Sequence, residues 1–327
     1  MIMRYVKIFL AGLLIIFCLT ECRQSEGIKN KSSNISGSKR LVVTNSDALE
    51  MLIGLGAEEN IVGISDAKIE LFFEKTKDIQ LIGNWRNPNI EAIINLKPDI
   101  VVTYKQWPEA AGFDDKLKPF NIAVERMDCY HLSEYASDIQ RLASFLGKEA
   151  VADTIISDFN KIIDMIKTAV KDIEDKKRVY FEFSDFSALG PGTGGDDILS
   201  LINAINIAKD LVVQYPKIST EWLLEEDPDI IIKVITADTI TDDMYQRILS
   251  RPGWEKLNAV KNNKVYLILS DLCAGPRAMI GGLYIGKWCY PDRFSTIDPD
   301  SVHMYWLNKH LDVDYQDKYV LTAEDRL

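Results

Sequence analysis

Aromatic and basic side chains stand near the places where predicted strands end. Trp85 and Arg86 precede a proline-containing turn, and Tyr104 and Trp107 follow a strand that ends near Thr103. In parallel α/β proteins, ligands bind beyond the carboxyl ends of strands. Aromatic rings stack on planar groups, and a guanidinium pairs with carboxylate or phenolate oxygens in a forked geometry. The side chains predicted to contact a ligand are Trp85, Arg86, Tyr104, Trp107, Phe186 and Arg277.

Each of these side chains could instead pack against its own part of the fold. Trp107, beside Pro108 in an otherwise polar loop, is the strongest candidate for a ligand contact, and Phe183 is a further candidate in the second half of the chain.

The sequence contains little that indicates a bare metal site or a catalytic centre. His131, His303 and His310 are widely spaced, whereas zinc and manganese sites usually gather several histidines and carboxylates. Neither a Gly-x-Ser-x-Gly elbow nor a His-Glu-x-x-His motif occurs. The glycine-rich stretch 190–195 lacks the Gly-Lys-Ser/Thr ending of a phosphate loop, and we interpret it as a turn. We therefore predict no enzyme activity, no cofactor and no metal held by the protein alone.

Short strands and helices alternate along the chain, which indicates a parallel α/β architecture. Helices are predicted over about 47–55 and 89–96. The predicted strands cover about 41–44, 61–64, 100–103, 122–125, 179–183, 230–234 and 265–269.

A long helical pattern runs from about 148 to 173 near the middle of the chain. Its apolar residues recur every three or four positions and so form one helical face. At 1.5 Å per residue such a helix would be about 35–40 Å long and could join two lobes as a stiff rod. The apolar positions are Val151, Ile155, Phe159, Ile162, Ile166, Val170 and Ile173.

The two halves of the chain contain a matching segment. Glu91–Val102 and Glu221–Ile232 share a glutamate, a Pro-Asp pair and an apolar run at identical spacing, 130 positions apart (221 − 91). In both, a helix is stopped by proline and followed by a buried strand. The match suggests two similar lobes, although helix-Pro-Asp-strand junctions are common in α/β proteins.

The first residues indicate export from the cytoplasm. The basic pair Arg4 and Lys7 precedes the apolar run Ile8–Leu19, which suits a secretory signal over residues 1–21. Leu19–Cys22 resembles the bacterial lipobox, in which the cysteine is acylated, although Glu21 replaces the usual small residue. This predicts lipidation at Cys22, with a plain signal peptide or an uncleaved anchor as alternatives.

The composition and charge of the chain give predictions about a tether, a nucleic-acid partner and cysteine pairing. Residues 22–40 are polar and are predicted to be a flexible tether between the membrane and the folded part. The formal net charge of -11 over 327 residues argues against a nucleic-acid partner. Cys129, Cys273 and Cys289 have no close pairing and are predicted to be isolated and mostly buried.

Four segments resemble the helical-backbone metal-receptor superfamily, the binding proteins for import of iron-siderophore complexes, haem and cobalamin. They occur in the family's order, and the similarity covers about residues 40 to 312. The segments are Gly83–Val102, Tyr215–Asp229, Pro252–Tyr266 and Gly275–Pro291.

The resemblance implies two similar lobes with central parallel sheets, joined by one long backbone helix, with the ligand cleft between them. The lobes would be 41–147 and 176–327, with the helix at 148–175. It also implies a monomer that works with an ABC permease and its ATPase. Glu91 and Glu221 match the surface glutamates that dock to the permease, although both could be ordinary first-turn glutamates favoured by the helix dipole.

We therefore expect a lipid-anchored, extracytoplasmic binding protein that captures a metal chelate, with an iron complex such as a ferric siderophore or haem as the favoured ligand. In a Gram-negative cell the protein would lie in the periplasm. The alternatives are a corrinoid ligand, a secreted α/β enzyme or chelatase on the same scaffold, and an adhesion or sensing module that has lost its cleft.

Overall fold

The computed structural model describes residues 39–66, 70–315 and 318–326. The predicted signal, Cys22 and the tether up to residue 38 lie outside the described residues. Within the described part of the chain, no helix combines the length and the apolar character needed to cross a membrane.

The N-terminal lobe is an α/β layer built on a five-stranded parallel sheet of strand order β3-β2-β1-β6-β7. A short antiparallel hairpin, β4–β5, lies outside this sheet. The elements in chain order are β1 (Leu41–Val43), α1 (Ser46–Gly54), β2 (Ile61–Ile64), α2 (Phe73–Thr76), β3 (Gln80–Leu81), β4 (Gly83–Asn84), β5 (Asn87–Pro88), α3 (Ile90–Leu96), β6 (Ile100–Tyr104), α4 (Ala110–Leu117), β7 (Ala123–Met127) and α5 (Tyr135–Leu146).

The central strands of this sheet are buried on both faces, which explains their continuous apolar sequence. In β1, Leu41 and Val43 pack into the main core, whereas Val42 faces a second, smaller cluster with Phe113 and Leu117 of α4. Because successive side chains of a strand point to opposite faces, a single short strand contributes to both cores.

The linking helix, α6, spans Glu149–Ala169 and has 21 residues, or about 31 Å. It is shorter than the predicted 148–173, because Val170 caps it and Asp172 takes a left-handed backbone conformation. Ile173 lies beyond the end of the helix, yet it is partly buried and packs against the same core. The periodic pattern therefore marked the buried face correctly from Ile155 onwards, but it was wrong for Val151, which is exposed, and it overstated the length of the helix.

Side chains along α6 contact both lobes. Near its start, Ile155 lies beside Gly54 of α1, and Phe159 stacks on Tyr135 of α5 at 4.3 Å between ring centroids. The C-terminal half of α6 packs on the part of the chain that follows it. One continuous core cluster runs through the N-terminal lobe, α6 and the residues after it.

The C-terminal lobe repeats the same plan, with sheet order β10-β8-β11-β12-β13 and only β13 antiparallel on this path. Ile166 of α6 packs beside Gly282 in this lobe. Its elements are β8 (Arg178–Ser184), β9 (Ser187–Ala188), α7 (Gly194–Leu201), β10 (Ile205–Asn206), α8 (Thr220–Glu226), β11 (Ile230–Ile235), α9 (Asp242–Leu249), α10 (Asn258–Lys261), β12 (Val265–Leu269), α11 (Ala278–Cys289), α12 (Pro299–Trp306) and β13 (Val320–Leu321).

The strand orders β2-β1-β6-β7 and β10-β8-β11-β12 correspond between the lobes. The predicted fold class, two similar parallel α/β lobes joined by one backbone helix, is therefore confirmed. The matching helix-Pro-Asp-strand segments of the sequence are α3–β6 and α8–β11, which occupy equivalent places in the two sheets.

Candidate functional site

A cavity of about 450 Å³ opens between the lobes, where strands of both sheets end. Parallel strands place their carboxyl ends, and the loops that follow them, at one edge of a sheet. The N-terminal lobe contributes Asp47, Trp85, Tyr104, Trp107, Asp128 and Tyr130 to the cavity wall. The C-terminal lobe contributes Phe183, Gly192, Gln214, Tyr215 and Asp271.

Three aromatic residues form the N-terminal side of the cavity. Trp85 meets Tyr104 edge to face at 5.2 Å between ring centroids. The Tyr104 hydroxyl lies 2.7 Å from the hydroxyl of Ser46, which fixes the ring at the end of β6. Trp107 is 47% exposed, and its carbonyl accepts a hydrogen bond of 2.7 Å from the buried Thr103 hydroxyl. The Trp107 loop is thus anchored through its backbone, while about half of the side chain stays exposed.

Arg86 lies at the mouth of this aromatic group and is not one of the residues that line the cavity. Its guanidinium carbon lies 4.6 Å from the Trp85 ring centroid and 5.7 Å from that of Trp107. This is cation–π geometry with both indoles. The predicted neighbours Trp85, Arg86, Tyr104 and Trp107 are therefore brought together in space.

The C-terminal side of the cavity is formed by two exposed aromatic rings. Phe183, at the end of β8, lies 5.6 Å from Tyr215 between ring centroids. Phe183 is 37% exposed and Tyr215 is 44% exposed, so both rings present surface to the cavity. A ligand held between the lobes would thus meet aromatic surface on both sides.

The segment Tyr130–His131 reaches across from the N-terminal lobe to the glycine-rich stretch before α7. The Tyr130 hydroxyl accepts a hydrogen bond of 3.2 Å from the Gly194 backbone N–H, and His131 Nε2 lies 3.3 Å from the Gly192 carbonyl oxygen. A Cβ at Gly194 would lie only 2.6 Å from the Cys273 carbonyl oxygen, so glycine permits the stretch to pack closely against Cys273 in its own lobe. The stretch interpreted as a turn therefore also holds contacts between the lobes.

His131 forms an ion pair within its own lobe. Its Nδ1 lies 2.7 Å from Asp128 Oδ1. Although partial burial disfavours both charges, this contact raises the pKa of His131 and lowers that of Asp128. His131 is a half-buried member of the cavity wall.

The floor of the cavity contains more carboxylates than cations. Asp47 stands in the first turn of α1, where the Asn45 side chain caps the helix by accepting the Asp47 and Ala48 backbone N–H groups. Burial, together with the charges of Glu50 and Asp271, raises the pKa of Asp47 to about 8. The sequence had offered no signal for this residue beyond its position after β1.

One buried guanidinium crosses from the C-terminal lobe to balance part of this charge. Arg277 Nε lies 3.0 Å from Glu50 Oε1, and its Nη2 lies 2.9 Å from Asp271 Oδ2. Although burial disfavours the charge, the two carboxylates hold the pKa of Arg277 above its ordinary value. The pair Glu50–Arg277 is a buried ion pair between the lobes.

Two residues predicted to contact a ligand are placed elsewhere. Arg277 is only 1% exposed, and its guanidinium is committed to Glu50 and Asp271 behind the cavity floor. Phe186 packs against Trp254 at 6.3 Å between centroids and lies under the Arg251 guanidinium, away from the lining. We correct both assignments to supporting positions, because neither side chain presents a free surface to the cavity.

The residues that the sequence did not single out are polar or tyrosine side chains after strands. Asp47 follows β1, Asp128 and Tyr130 follow β7, and Asp271 follows β12. The rule that ligands bind at strand ends would have found them if it had been applied to carboxylates as well as to aromatic and arginine residues. Tyr215 lies in a long loop and gives no comparable signal.

Glu91 and Glu221 do not line the cavity, and each is exposed in the first turn of its helix, α3 and α8 respectively. The Glu221 backbone N–H and the Ser219 hydroxyl lower the pKa of Glu221. Among the described residues, no group of three or more histidine, cysteine, aspartate or glutamate side chains is arranged to hold a metal ion. Cys129, Cys273 and Cys289 are free and buried.

Residues 41–272 match the family model of a periplasmic binding protein. An uncharacterized ABC transporter substrate-binding lipoprotein of Bacillus subtilis (strain 168) is 29% identical over 267 residues, which cover 78% of this chain and 81% of that protein. A vitamin B12-binding protein of Vibrio cholerae serotype O1 is 23% identical over 239 residues, covering 72% and 82% respectively. Among solved structures, the TroA-like periplasmic binding protein FepB of Veillonella parvula superposes with a TM-score of 0.75 at 21% identity, covering 87% of this chain and 95% of that one.

Proposed function

The chain belongs to the periplasmic binding protein family, and from this membership we propose that it captures a metal chelate and delivers it to the permease of an ABC importer. Members of this family bind small molecules outside the cytoplasm and work with a permease and an ATPase. Beyond family membership, we propose the chemical class of the ligand, the surface that binds it and the residues that dock to the permease.

The observation that carries the proposal is the aromatic cavity between the two lobes. Trp85, Tyr104 and Trp107 face it from one side, and Phe183 and Tyr215 face it from the other. Aromatic surfaces on both sides suit a ligand with flat, partly apolar faces, such as a chelated metal. A cavity of about 450 Å³ is of the size found for small-molecule sites.

An iron complex is the first candidate for the ligand, in keeping with the family resemblance of the sequence. A corrinoid is the second candidate, and the similarity to a vitamin B12-binding protein favours it specifically. In both cases the chelator supplies the metal donors and the protein contacts the chelator. We propose no chemical change of the ligand, so the protein acts as a carrier and not as an enzyme.

Delivery is proposed to depend on Glu91 and Glu221. Each is exposed at the start of an equivalent helix, one on each lobe. Exposed carboxylates at an interface steer association and set orientation more than they add affinity. One carboxylate on each lobe would orient the cavity over the permease.

Attachment to the membrane is proposed to occur through a lipid on Cys22. Support comes from the lipobox-like segment before it and from the lipoprotein relative in Bacillus subtilis. Replacing Cys22 by serine should release the full-length chain from the membrane fraction. Continued membrane attachment of that variant would contradict lipidation at Cys22.

The proposed function is tested by titrating the purified protein with ferric siderophores, haem and cyanocobalamin while tryptophan fluorescence is recorded. Trp85 and Trp107 line the cavity, so binding should quench their emission. Trp107→Phe should reduce the quenching. Trp254 is left unchanged, because its buried ring packs against Tyr180 in the core. Mass spectrometry of the released ligand should find it unaltered. Failure of every complex to bind, or turnover of one, would contradict the proposal.

A further inference from the structure

The charged groups around the cavity are not balanced. Asp128 has His131 as its partner at 2.7 Å. Arg277 is shared between Glu50 and Asp271. Asp47, which also lines the cavity, forms no ion pair with any residue that the structure describes. Three carboxylates therefore lie around a single guanidinium, and once Asp47 is ionised the excess charge at the cavity floor is negative.

This excess comes from both lobes at once. Asp47 belongs to the first turn of α1 in the N-terminal lobe, and Asp271 directly follows β12 in the C-terminal lobe. The two are close enough for the charge of Asp271 to raise the pKa of Asp47. In a partly desolvated cleft such charges act more strongly than on an open surface. A ligand between the lobes would meet this potential on two sides.

The aromatic mouth of the cavity also has the electrostatics of a cation site. The faces of aromatic rings carry negative potential, and cations bind over them. Arg86 demonstrates this within the protein, because its guanidinium lies over Trp85 at 4.6 Å and near Trp107 at 5.7 Å. This observation is independent of the carboxylates on the floor.

His131 of the cavity wall is paired with Asp128, so among the described lining residues Lys105 is the cation left to oppose this preference. It is exposed, at the rim beside Trp107, where water screens its charge. Asp47 is less exposed and lies close to the buried Arg277–Glu50 pair, whereas Asp271 is itself exposed at the cavity wall. The charge of Asp47 therefore acts in a lower dielectric than the charge of Lys105 and contributes more to the potential inside the cavity.

We propose that the cavity selects cationic metal complexes over anionic ones, with Asp47 as the carboxylate that determines this specificity. The proposal rests on the proposed function, since it assumes that the cavity binds a metal complex. A positively charged or N–H-rich part of the complex contacts Asp47 and Asp271, and its apolar faces contact Trp85 and Trp107. Complexes that present carboxylates or phenolates are repelled by the same floor.

The proposal also reverses the role expected for Arg86. From the sequence, its guanidinium was a candidate partner for anionic ligand oxygens. In the structure it occupies the ring faces that a cationic ligand would use. Arg86→Ala should therefore strengthen the binding of a cationic complex, whereas it would weaken binding if Arg86 recognised an anion.

The test measures affinities of the full protein for two series of complexes at mildly alkaline pH, where Asp47 is ionised. The iron series is ferrioxamine B (cationic), ferrichrome (neutral) and ferric enterobactin (anionic). The corrin series is diaquacobinamide (cationic) and cyanocobalamin (neutral). Within whichever series binds, the cationic member should bind most tightly. Asp47→Asn should weaken that member by about tenfold and leave the other members nearly unchanged.

Asp115→Asn is the matched control, because it removes one exposed carboxylate of the same lobe on α4, away from the cavity lining. It should change no affinity. Tighter binding of the anionic or neutral member, or an equal effect of Asp47→Asn on all members, would overturn the charge selection while leaving the proposed function intact. Binding of no complex in either series would overturn the proposed function and this inference with it.

Discussion

The two lobes are nearly the same on the side of α3 and α8 and different where they face each other. In the N-terminal lobe, the Arg40 backbone N–H donates to Asp99 at 2.8 Å, and its side chain donates to the Leu96 carbonyl at 2.8 Å. In the C-terminal lobe, the Arg178 backbone N–H donates to Asp229, also at 2.8 Å, and its side chain donates to the Glu226 carbonyl. The repeat therefore extends to individual hydrogen bonds.

The edges that face the cavity share no such correspondence. In the N-terminal lobe, β1 leads directly into α1 through the capping residue Asn45, which places Asp47 at the cavity. In the C-terminal lobe, β8 is separated from α7 by β9 and the glycine-rich stretch 190–195. A common scaffold therefore presents α3 and α8, the proposed docking helices, in the same way, while the loops that face the cavity differ between the lobes.

The largest effect is expected from breaking the buried contact that joins the two lobes. Arg277→Ala would leave Glu50 buried without its cation, which typically costs about 3–5 kcal/mol of unfolding free energy. Urea denaturation followed by circular dichroism would measure it. Arg247→Ala, which removes an exposed ion pair with Asp243, should cost about 1 kcal/mol or less. Equal costs for the two variants would show that the lobes do not depend on this contact.

The next effect tests whether the two outer surfaces are functionally equivalent. Glu91→Arg and Glu221→Arg should each reduce ligand uptake into cells or proteoliposomes, and the double variant should abolish most of it, because opposite charge would repel the permease surface. Ligand affinity of the isolated protein should stay unchanged, since both residues lie outside the cavity lining. Asp153→Arg, at an exposed carboxylate of α6 outside both α3 and α8, is the matched control and should transport normally. Loss of affinity in the double variant would contradict the docking role.

Much of the fold could be predicted because its signals are local. Strands β2 and β12 have the predicted bounds, and α3 starts one residue after its predicted first position because Asn89 is its cap. Buried parallel strands are short apolar runs, and proline ends the preceding helix. These patterns are set by neighbours in sequence and need no knowledge of the other lobe.

The cavity was predicted less completely because its composition depends on contacts between distant residues. Arg277 was assigned to the ligand, yet Glu50, 227 positions away, takes its guanidinium. Asp47 resembles an ordinary first-turn aspartate, yet burial, the charge of Glu50 and the approach of Asp271 from the other lobe raise its pKa. No local pattern contains either contact.

The aromatic residues allow the two sides of the cavity to be compared directly. Trp107→Ala should weaken ligand binding by about tenfold, because a large, exposed indole loses its stacking contact. Phe183→Ala, on the opposite side, should weaken it less, since the neighbouring Tyr215 ring remains. Isothermal titration calorimetry would compare the ligand affinities of the two variants without depending on tryptophan emission. A larger loss for Phe183→Ala would place the main stacking surface on the C-terminal lobe.

The pH dependence of ligand affinity would show whether ionisation of Asp47, which feels charges from both lobes, controls binding. With a pKa of about 8, the Asp47 carboxyl is mostly protonated at pH 7 and mostly ionised at pH 9. Its charged neighbours are Glu50, Asp271 and Asp128, which raise the pKa, and Arg277, which lowers it. A cationic complex binds the ionised form, so its affinity should rise about tenfold between these two pH values.

The variants separate the contributions of the two lobes to this pH dependence. Asp47→Asn should remove the rise in affinity, because the titrating group is gone. Asp271→Asn should move the midpoint to lower pH, because one of the charges that raise the Asp47 pKa has been removed. A pH profile that is unchanged in Asp47→Asn would assign the titration to another group.

The smallest effect tests the repeat itself. Arg40→Ala and Arg178→Ala each remove the side-chain hydrogen bonds to a carbonyl at the end of a docking helix, Leu96 in α3 and Glu226 in α8. Each loss should cost about 0.5–1.5 kcal/mol of unfolding free energy. Arg178 also pairs with the Glu226 carboxylate, so its variant should cost slightly more. Because the backbone N–H bonds to Asp99 and Asp229 remain, α3 and α8 should keep their positions, and uptake should fall little. If one variant abolished uptake while the other did not, the two outer surfaces would be alike in structure but unequal in function.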